Sequence, residues 1–267
     1  MRRPPPDEKR ISKLISSGRG RGEGSSYLPW LEVRDVPSRG KSSRPYGTKT
    51  GRKHVLLSRL ELYYFYILEW SPVVSDIREQ YPLLPLRKTL ELSELAGIRH
   101  PHHNASGRDV VMTTDFLLTK SDGSLQARTV KYTNDLKKRR SLEKLELERL
   151  YWLDRKIDYK IVTERTINTT LARNVEWILA KKTKSSLEPL CNADIDAIRS
   201  RLQPNIAETT NTPLALWCSD ADSHCGYPPG SALAVARHLL ALKEWSAEIH
   251  EKKINPTLPV PLVAKVS

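Results

Sequence analysis

The order of apolar patterns predicts an α/β protein: a mixed sheet flanked by helices, then a small helical module ending in a two-stranded wing. Three observations carry this. Two β-rich runs, DVVMTTDFLL at 109–118 and Leu125 to Tyr132, flank the turn signal at 120–124, whose Gly123 follows Asp122. Helical and extended patterns alternate through the first two thirds of the chain. From about Lys181 the alternating strands stop, and helical stretches separated by proline and asparagine breaks follow.

Taken in order, the first strong helix is SRLELYYFYILEW, opened at Ser58. Ser58-Arg59-Leu60-Glu61 reads as a capping box, in which the serine accepts from the N–H three residues on and the glutamate reaches back to the serine N–H. Residues 73–81 alternate as a strand, and the prolines at 82 and 85 break it. The hairpin around 120–124 comes next. A long helix opens at Ser141, with Leu142, Leu145, Arg149 and Trp152 on one stripe, followed by a strand at Tyr159 to Thr163 and a helix near Asn168 to Ala180. In the last third, 193–202 is helical. Ser231 is a plausible cap for a helix whose apolar face holds Leu233, Ala236, Leu239 and Leu240. Trp245 to His250 and 262–266 then suit a terminal hairpin. Helices followed by a wing suggest a winged-helix-like module for DNA or protein contact, with Glu244, Glu248 and Glu251 near the wing favouring protein at least as much as DNA. The expected organisation is a basic flexible arm over 1–25, a core over 26–180 and the module over 181–267.

Charge frames what the core acts on. The chain has 267 residues and a formal charge of +13, and residues 1–55 hold 14 Lys and Arg against 5 Asp and Glu. Flexible cationic segments displace counterions from a phosphate backbone and bind it without reading sequence. Double-stranded nucleic acid is the partner this favours, with Arg19, Arg21, Lys41, Arg44, Lys49, Arg52 and Lys53 as contacts; a solvated tail is the plainer alternative. Tyr27-Leu28-Pro29-Trp30-Leu31 is apolar enough to dock on the core. No run approaches the roughly 20 apolar residues that span a bilayer, so a cytoplasmic protein is expected. Cys191, Cys218 and Cys225 are odd in number and lack paired spacing, which reads as free thiols. His100, His102 and His103, or His224 beside Cys225, lack partner ligands for a zinc site.

The chemistry-bearing constellation is an acid on a helix, Glu61, an aspartate opening a strand, Asp115, and a lysine closing the next strand, Lys131. Divalent metals need hard oxygen ligands, and phosphodiester hydrolysis needs a group beside them that orients water or offsets charge. Thr129 and Lys131 share one strand face while Val130 points to the other, and pairing across the turn brings Asp115 towards the polar face. Each residue also has a structural reading: Glu61 as a cap, Asp115 as a surface carboxylate near a turn, Lys131 as a solvated strand end. In the long helix Glu143, Glu146 and Glu148 are further acids, and Glu148 lies on a face that could approach the site.

Several segments carry a family resemblance. SSYLPWLEVRDVPSRG, KTGRKHVLLSRLEL, EWSPVVSDIREQYPLLP, TTDFL and SLEKLELERLYW resemble TnsA, the endonuclease subunit of heteromeric cut-and-paste transposases, almost continuously from about 15 to 180. The last third is similar mainly in layout. The resemblance implies a restriction-endonuclease-like core with a winged-helix-like C-terminal domain. It also implies Mg²⁺-dependent cleavage of the 5′ ends of a transposon, with Mn²⁺ substituting. A TnsB-like integrase-fold transposase would cut the 3′ ends, and a TnsC-like AAA+ ATPase would link both to target choice. Onto this chain the helix acid falls on Glu61, the metal-binding aspartate on Asp115, the nuclease lysine on Lys131 and the acid of the following helix on Glu148. Thr129 stands where nucleases of this pattern carry an acid; its hydroxyl is a weaker metal ligand than a carboxylate, so the Val130 carbonyl would take more of the coordination. A stand-alone restriction-type nuclease and a non-catalytic assembly subunit are the alternatives.

Overall fold

Apolar alternation on either side of a tight turn builds the centre of the protein. In the computed structural model, which describes residues 8–35, 42–103 and 106–265, the chain divides into two units, Met1–Ile167 and Asn168–Ser267. The first contains α1 (Glu8–Ser16), β1 (Tyr46–Gly47), β2 (Arg52–Lys53), α2 (Arg59–Trp70), β3 (Val74–Pro82), α3 (Leu86–Leu95), β4 (Thr113–Lys120), β5 (Leu125–Val130), α4 (Arg139–Asp154) and β6 (Asp158–Val162). The sheet order is β3-β4-β5-β6, antiparallel except for the parallel β5–β6 pair, so the sheet is mixed as the sequence leads one to expect.

The β4–β5 turn has its own chemistry. Asp122 accepts from the Ser124 N–H at 2.9 Å and from Lys120 Nζ at 3.0 Å, and Gly123 takes φ +78°, a region closed to most side chains. This sets the register Phe116↔Arg128 and Leu117↔Ala127. Successive residues then serve opposite faces. Phe116 meets Tyr64 of α2 edge-on at 5.7 Å between ring centres, while Leu117 and Ala127 join Leu147, Tyr151 and Trp152 of α4 in the core.

Three readings of the sequence change here. The basic arm expected over 1–25 is a helix from Glu8, and Ile11, Leu14 and Ile15 pack around Trp30, Leu86 and Val111. The Gly- and Ser-rich stretch that follows it hides the apolar spacing of the helix itself. Tyr27 and Trp30 are buried, as their composition suggests. Helix α3 starts directly after Pro85, where only a break is legible. On α4 the buried face is Leu145, Leu147, Glu148, Tyr151 and Trp152, whereas Leu142 is exposed and Arg149 pairs with Glu146 on the surface.

The second unit contains α5 (Thr169–Leu179), α6 (Asn192–Leu202), α7 (Leu214–Cys225), α8 (Ser231–Ala241), β7 (Trp245–Ala247) and β8 (Leu262–Ala264), the two strands pairing antiparallel. The unit begins at Asn168, earlier than the composition break near 181, because α5 is tied to its far end. Buried Asn174 donates to the carbonyls of Ile249 and Lys252 at 2.9 and 2.7 Å and accepts from the Ile254 N–H at 2.8 Å. Ser231 does not cap α8. Instead buried Asp222 of α7 accepts from the N–H groups of Gly230 and Ala232, both at 2.7 Å, a cap supplied from another helix. Cys191, Cys218 and Cys225 are free thiols, and among the described residues no helix is long and apolar enough to cross a membrane.

Candidate active site

Helix α2 owes its start to Ser58, which accepts the Glu61 N–H at 3.1 Å. The reciprocal half of the capping box is displaced by one residue. Glu61 Oε2 takes the Leu57 N–H at 2.9 Å rather than that of Ser58, and it also receives the Gln80 amide at 3.4 Å. Glu61 is therefore a first-turn acid that is 6% exposed and faces the sheet.

Strand β4 presents Asp115. Its Oδ2 accepts from the Val130 N–H at 2.7 Å and from Lys131 Nζ at 3.1 Å, and Lys131 Nζ also donates to the Val130 carbonyl at 3.1 Å. The hairpin register carried one step past Phe116↔Arg128 sets Asp115 against Thr129. Thr129 donates its hydroxyl to Glu148 of α4, and Trp152 Nε1 donates to Thr114 at 2.7 Å beside it. Glu61, Asp115, Thr129, Val130, Lys131 and Glu148 thus share one neighbourhood.

The electrostatics agree. Burial, and then the charge of Asp115, push the Glu61 carboxyl up to about 7 against the hydrogen bonds from Leu57 and Ser58 and the charge of Lys131. Burial and Asp115 likewise push Glu148 up to about 7, against hydrogen bonds from Thr129 and Thr114. Burial would lower the Lys131 ammonium, yet Asp115 and Glu148 outweigh it and hold its pKa above the usual lysine value. Three carboxylates face one ammonium, so the site has an excess of negative charge that a cation relieves.

Among the described residues no three His, Cys, Asp or Glu side chains converge as a ready-made metal cage. The donors on offer are the Glu61 and Asp115 carboxylates and the Val130 carbonyl. Few but hard oxygen donors suit a cation such as Mg²⁺, which keeps several waters and takes phosphate oxygens from its substrate. The histidines have structural tasks. His100 is buried between the Thr89 hydroxyl and the Pro101 carbonyl, both at 2.9 Å, while His102 meets Arg99 and His103 meets Ser106.

The cations expected to hold DNA divide. Arg19 pairs with Glu32 and with Asp35 at 3.0 Å, and Lys49 Nζ binds the carbonyls of Ser71 and Val74. Arg52 forms a two-pronged bond to buried Glu79 at 2.8 and 2.6 Å, which also takes His54 Nδ1 at 2.8 Å and the Val55 N–H at 2.9 Å. These three groups hold the protein together. Arg21, Arg44 and Lys53 are exposed, and Lys41 lies outside the described residues. Charge alone cannot tell the two sets apart, because the acid that recruits Arg52 lies 27 positions along the chain.

Sequence reasoning also missed Gln80 and the basic stretch after Lys131. Lys137 and Lys144 are exposed, and the Lys144 ammonium is lowered by partial burial and then by the charges of Arg140 and Lys131, which places it in the same positive field as the site lysine. The run Lys137-Lys138-Arg139-Arg140 was a signal available in the sequence.

Matches to known proteins cover most of the chain. The family model described as TnsA-like endonuclease N terminal matches residues 71–164, and that described as TnsA endonuclease C terminal matches residues 166–249. The transposon Tn7 transposition protein TnsA of Escherichia coli is 41% identical over 236 residues, which span 88% of this chain and 84% of that protein. On these matches, this chain belongs to the TnsA family of transposition endonucleases.

Proposed function

We propose that this chain is the DNA endonuclease subunit of a heteromeric transposase and cuts the 5′ ends of the transposon by metal-dependent hydrolysis, using Glu61, Asp115 and Lys131. The observation that carries the reading is the Asp115–Lys131 pair at 3.1 Å beside buried Glu61. Bound Mg²⁺, with Mn²⁺ as substitute, would be held by Glu61, Asp115 and the Val130 carbonyl, and would polarise the phosphate and lower the pKa of an attacking water.

The side chains supply the rest. Asp115 fixes the Lys131 ammonium, which offsets charge gathering on the phosphate oxygens as the bond to water forms. Glu148 acts on the site through Thr129: it accepts the hydrogen bond of the threonine hydroxyl, whose oxygen lone pairs stay available, so Thr129 is a weak metal ligand beside the Val130 carbonyl. Lys137 and Lys144 with exposed Arg139 grip the strand on either side of the cut, together with Arg21, Arg44 and Lys53 on the N-terminal segment. A TnsB-like transposase cutting the 3′ ends and a TnsC-like ATPase are the partners, and the second unit, winged-helix-like in its sequence layout, is the place for such contacts.

The test uses the full chain with its partner transposase and DNA carrying transposon ends. Asp115→Ala and Lys131→Ala should each reduce 5′-end cleavage by about 10³-fold or more while 3′-end cutting by the partner continues. Cleavage at the wild-type rate in either variant removes that residue from the mechanism. Cutting of purified DNA by this chain alone would favour a stand-alone nuclease.

A further inference from the structure

Gln80 is a buried residue of β3, 2% exposed, with φ +48°, a backbone conformation that non-glycine residues seldom adopt. Its neighbours in the ladder, Glu79↔Phe116 and Tyr81↔Thr114, set it directly across from Asp115. Its carbonyl accepts the Trp30 N–H at 3.2 Å. Its side-chain amide is oriented by what surrounds it. The Thr113 hydroxyl donates to Oε1 at 3.2 Å, which turns the NH₂ group towards Glu61 Oε2 at 3.4 Å. Gln80 thus stands between the two acids and touches one of them.

A left-handed residue inside a strand persists only where the surroundings over-determine it, and such residues gather at sites that need a fixed geometry. Here the turned backbone brings a side-chain amide to a carboxylate otherwise held by the Leu57 N–H and by Ser58. A neutral donor suits the place: a lysine or arginine would compete with a bound cation for the charge of Glu61, whereas an amide holds one oxygen and leaves the other to the metal.

We propose that Gln80 is a positioning residue that orients Glu61 for metal binding by donating to Oε2. This rests on the assignment of Glu61 as a metal-holding acid. The same principle sets the size of the effect, since loss of a partner that orients a ligand weakens metal affinity by roughly 10–100-fold.

The experiment measures free Mn²⁺ by electron paramagnetic resonance during titration of the full-length chain, with wild type, Glu61→Ala, Gln80→Gly and Gln80→Asn compared. Glycine accepts φ +48° without strain, and asparagine tolerates it while falling short of Glu61, so both variants separate loss of the amide from a fault in the backbone. Circular dichroism and melting midpoints confirm folding. Gln80→Gly and Gln80→Asn are expected to bind Mn²⁺ about ten-fold or more weakly, and the Mn²⁺ concentration for half-maximal 5′-end cleavage should rise in parallel with little change in the rate at saturating metal. Wild-type Mn²⁺ affinity in both folded Gln80 variants, with Glu61→Ala weakened, overturns the role of Gln80 alone. Wild-type affinity in Glu61→Ala overturns the assignment beneath it.

Discussion

Thr129 donates its hydroxyl proton to the buried carboxylate of Glu148, so the position where an acid is expected from the nuclease pattern instead serves an acid on the next helix. The two residues together put a carboxyl beside Asp115 without placing it on the strand. Thr129→Val keeps the shape and removes the donor, leaving Glu148 with one hydrogen bond fewer in an apolar setting. The expected outcome is a fall in 5′-end cleavage of about ten-fold, with Thr129→Ser close to wild type; equal activity in the valine variant would detach Glu148 from the site.

Metal and pH should act together on stability. The folded-state carboxyls of Glu61 and Glu148 sit near 7, above their ordinary 4.5. An acid raised in the folded state binds its proton more tightly folded than unfolded. Stability is therefore greatest below about pH 4.5 on this account and declines as pH climbs towards 7. A cation at the site offsets that loss, so Mg²⁺ should raise the melting temperature more at pH 8 than at pH 6. Calorimetry with Mg²⁺ or EDTA at each pH measures this, and an equal shift at both pH values argues against a metal beside these acids.

Glu79 behaves in the opposite sense. Burial alone would raise it, but the hydrogen bonds from Arg52 and His54 and their charges bring it down to about 2. A depressed acid contributes stability that is fully present above its unfolded value near 4.5 and lost as pH falls from there through 2. The contribution is on the order of 3 kcal/mol. Glu79→Gln should flatten the acid limb of the unfolding curve and destabilise the first unit by about 3–5 kcal/mol, because Arg52 is left buried without its counter-charge.

If the stretch after Lys131 grips phosphate, the double variant Lys137→Ala, Lys144→Ala should weaken DNA binding of the cleavage-deficient protein. It should also make the slope of log affinity against log salt shallower by about two. An unchanged slope shows that the backbone is held elsewhere.

The cap on α8 can be tested by two substitutions with opposite expectations. Asp222→Ala, which strips two N–H groups of their acceptor, should destabilise the second unit by about 1–2 kcal/mol, whereas Ser231→Ala should lie within about 0.5 kcal/mol of wild type. Equal effects would mean that the serine shares the cap.

The hairpin, the helix bearing Glu61 and the two-stranded end of the chain are legible in the sequence because each depends on neighbours within a few positions: the turn chemistry of Asp122 and Gly123, the cap at Ser58, the alternation through β4 and β5. Asp115, Lys131 and Glu61 were legible for the same reason, each standing at a marked place in a local element. What stayed hidden depends on partners far along the chain. Arg52 and an exposed lysine look alike until Glu79 arrives beside one of them, and Asp222 cannot be read as the cap of α8 from α7 alone. Gln80 was hidden by its conformation, since a strand pattern gives no sign that one of its residues is left-handed.

The short turn between β4 and β5 acts as a ruler for the whole site. Asp115 and Lys131 stand on its two arms, and side chains on a strand alternate, so one added or deleted residue between them would rotate one arm by a half-step and send the ammonium to the far side of the sheet. Changes of residue type at Ser121 or Ser124 leave that spacing alone. Over evolutionary time this loop should therefore keep its length together with Asp122 and Gly123, while the residue types at its other positions vary.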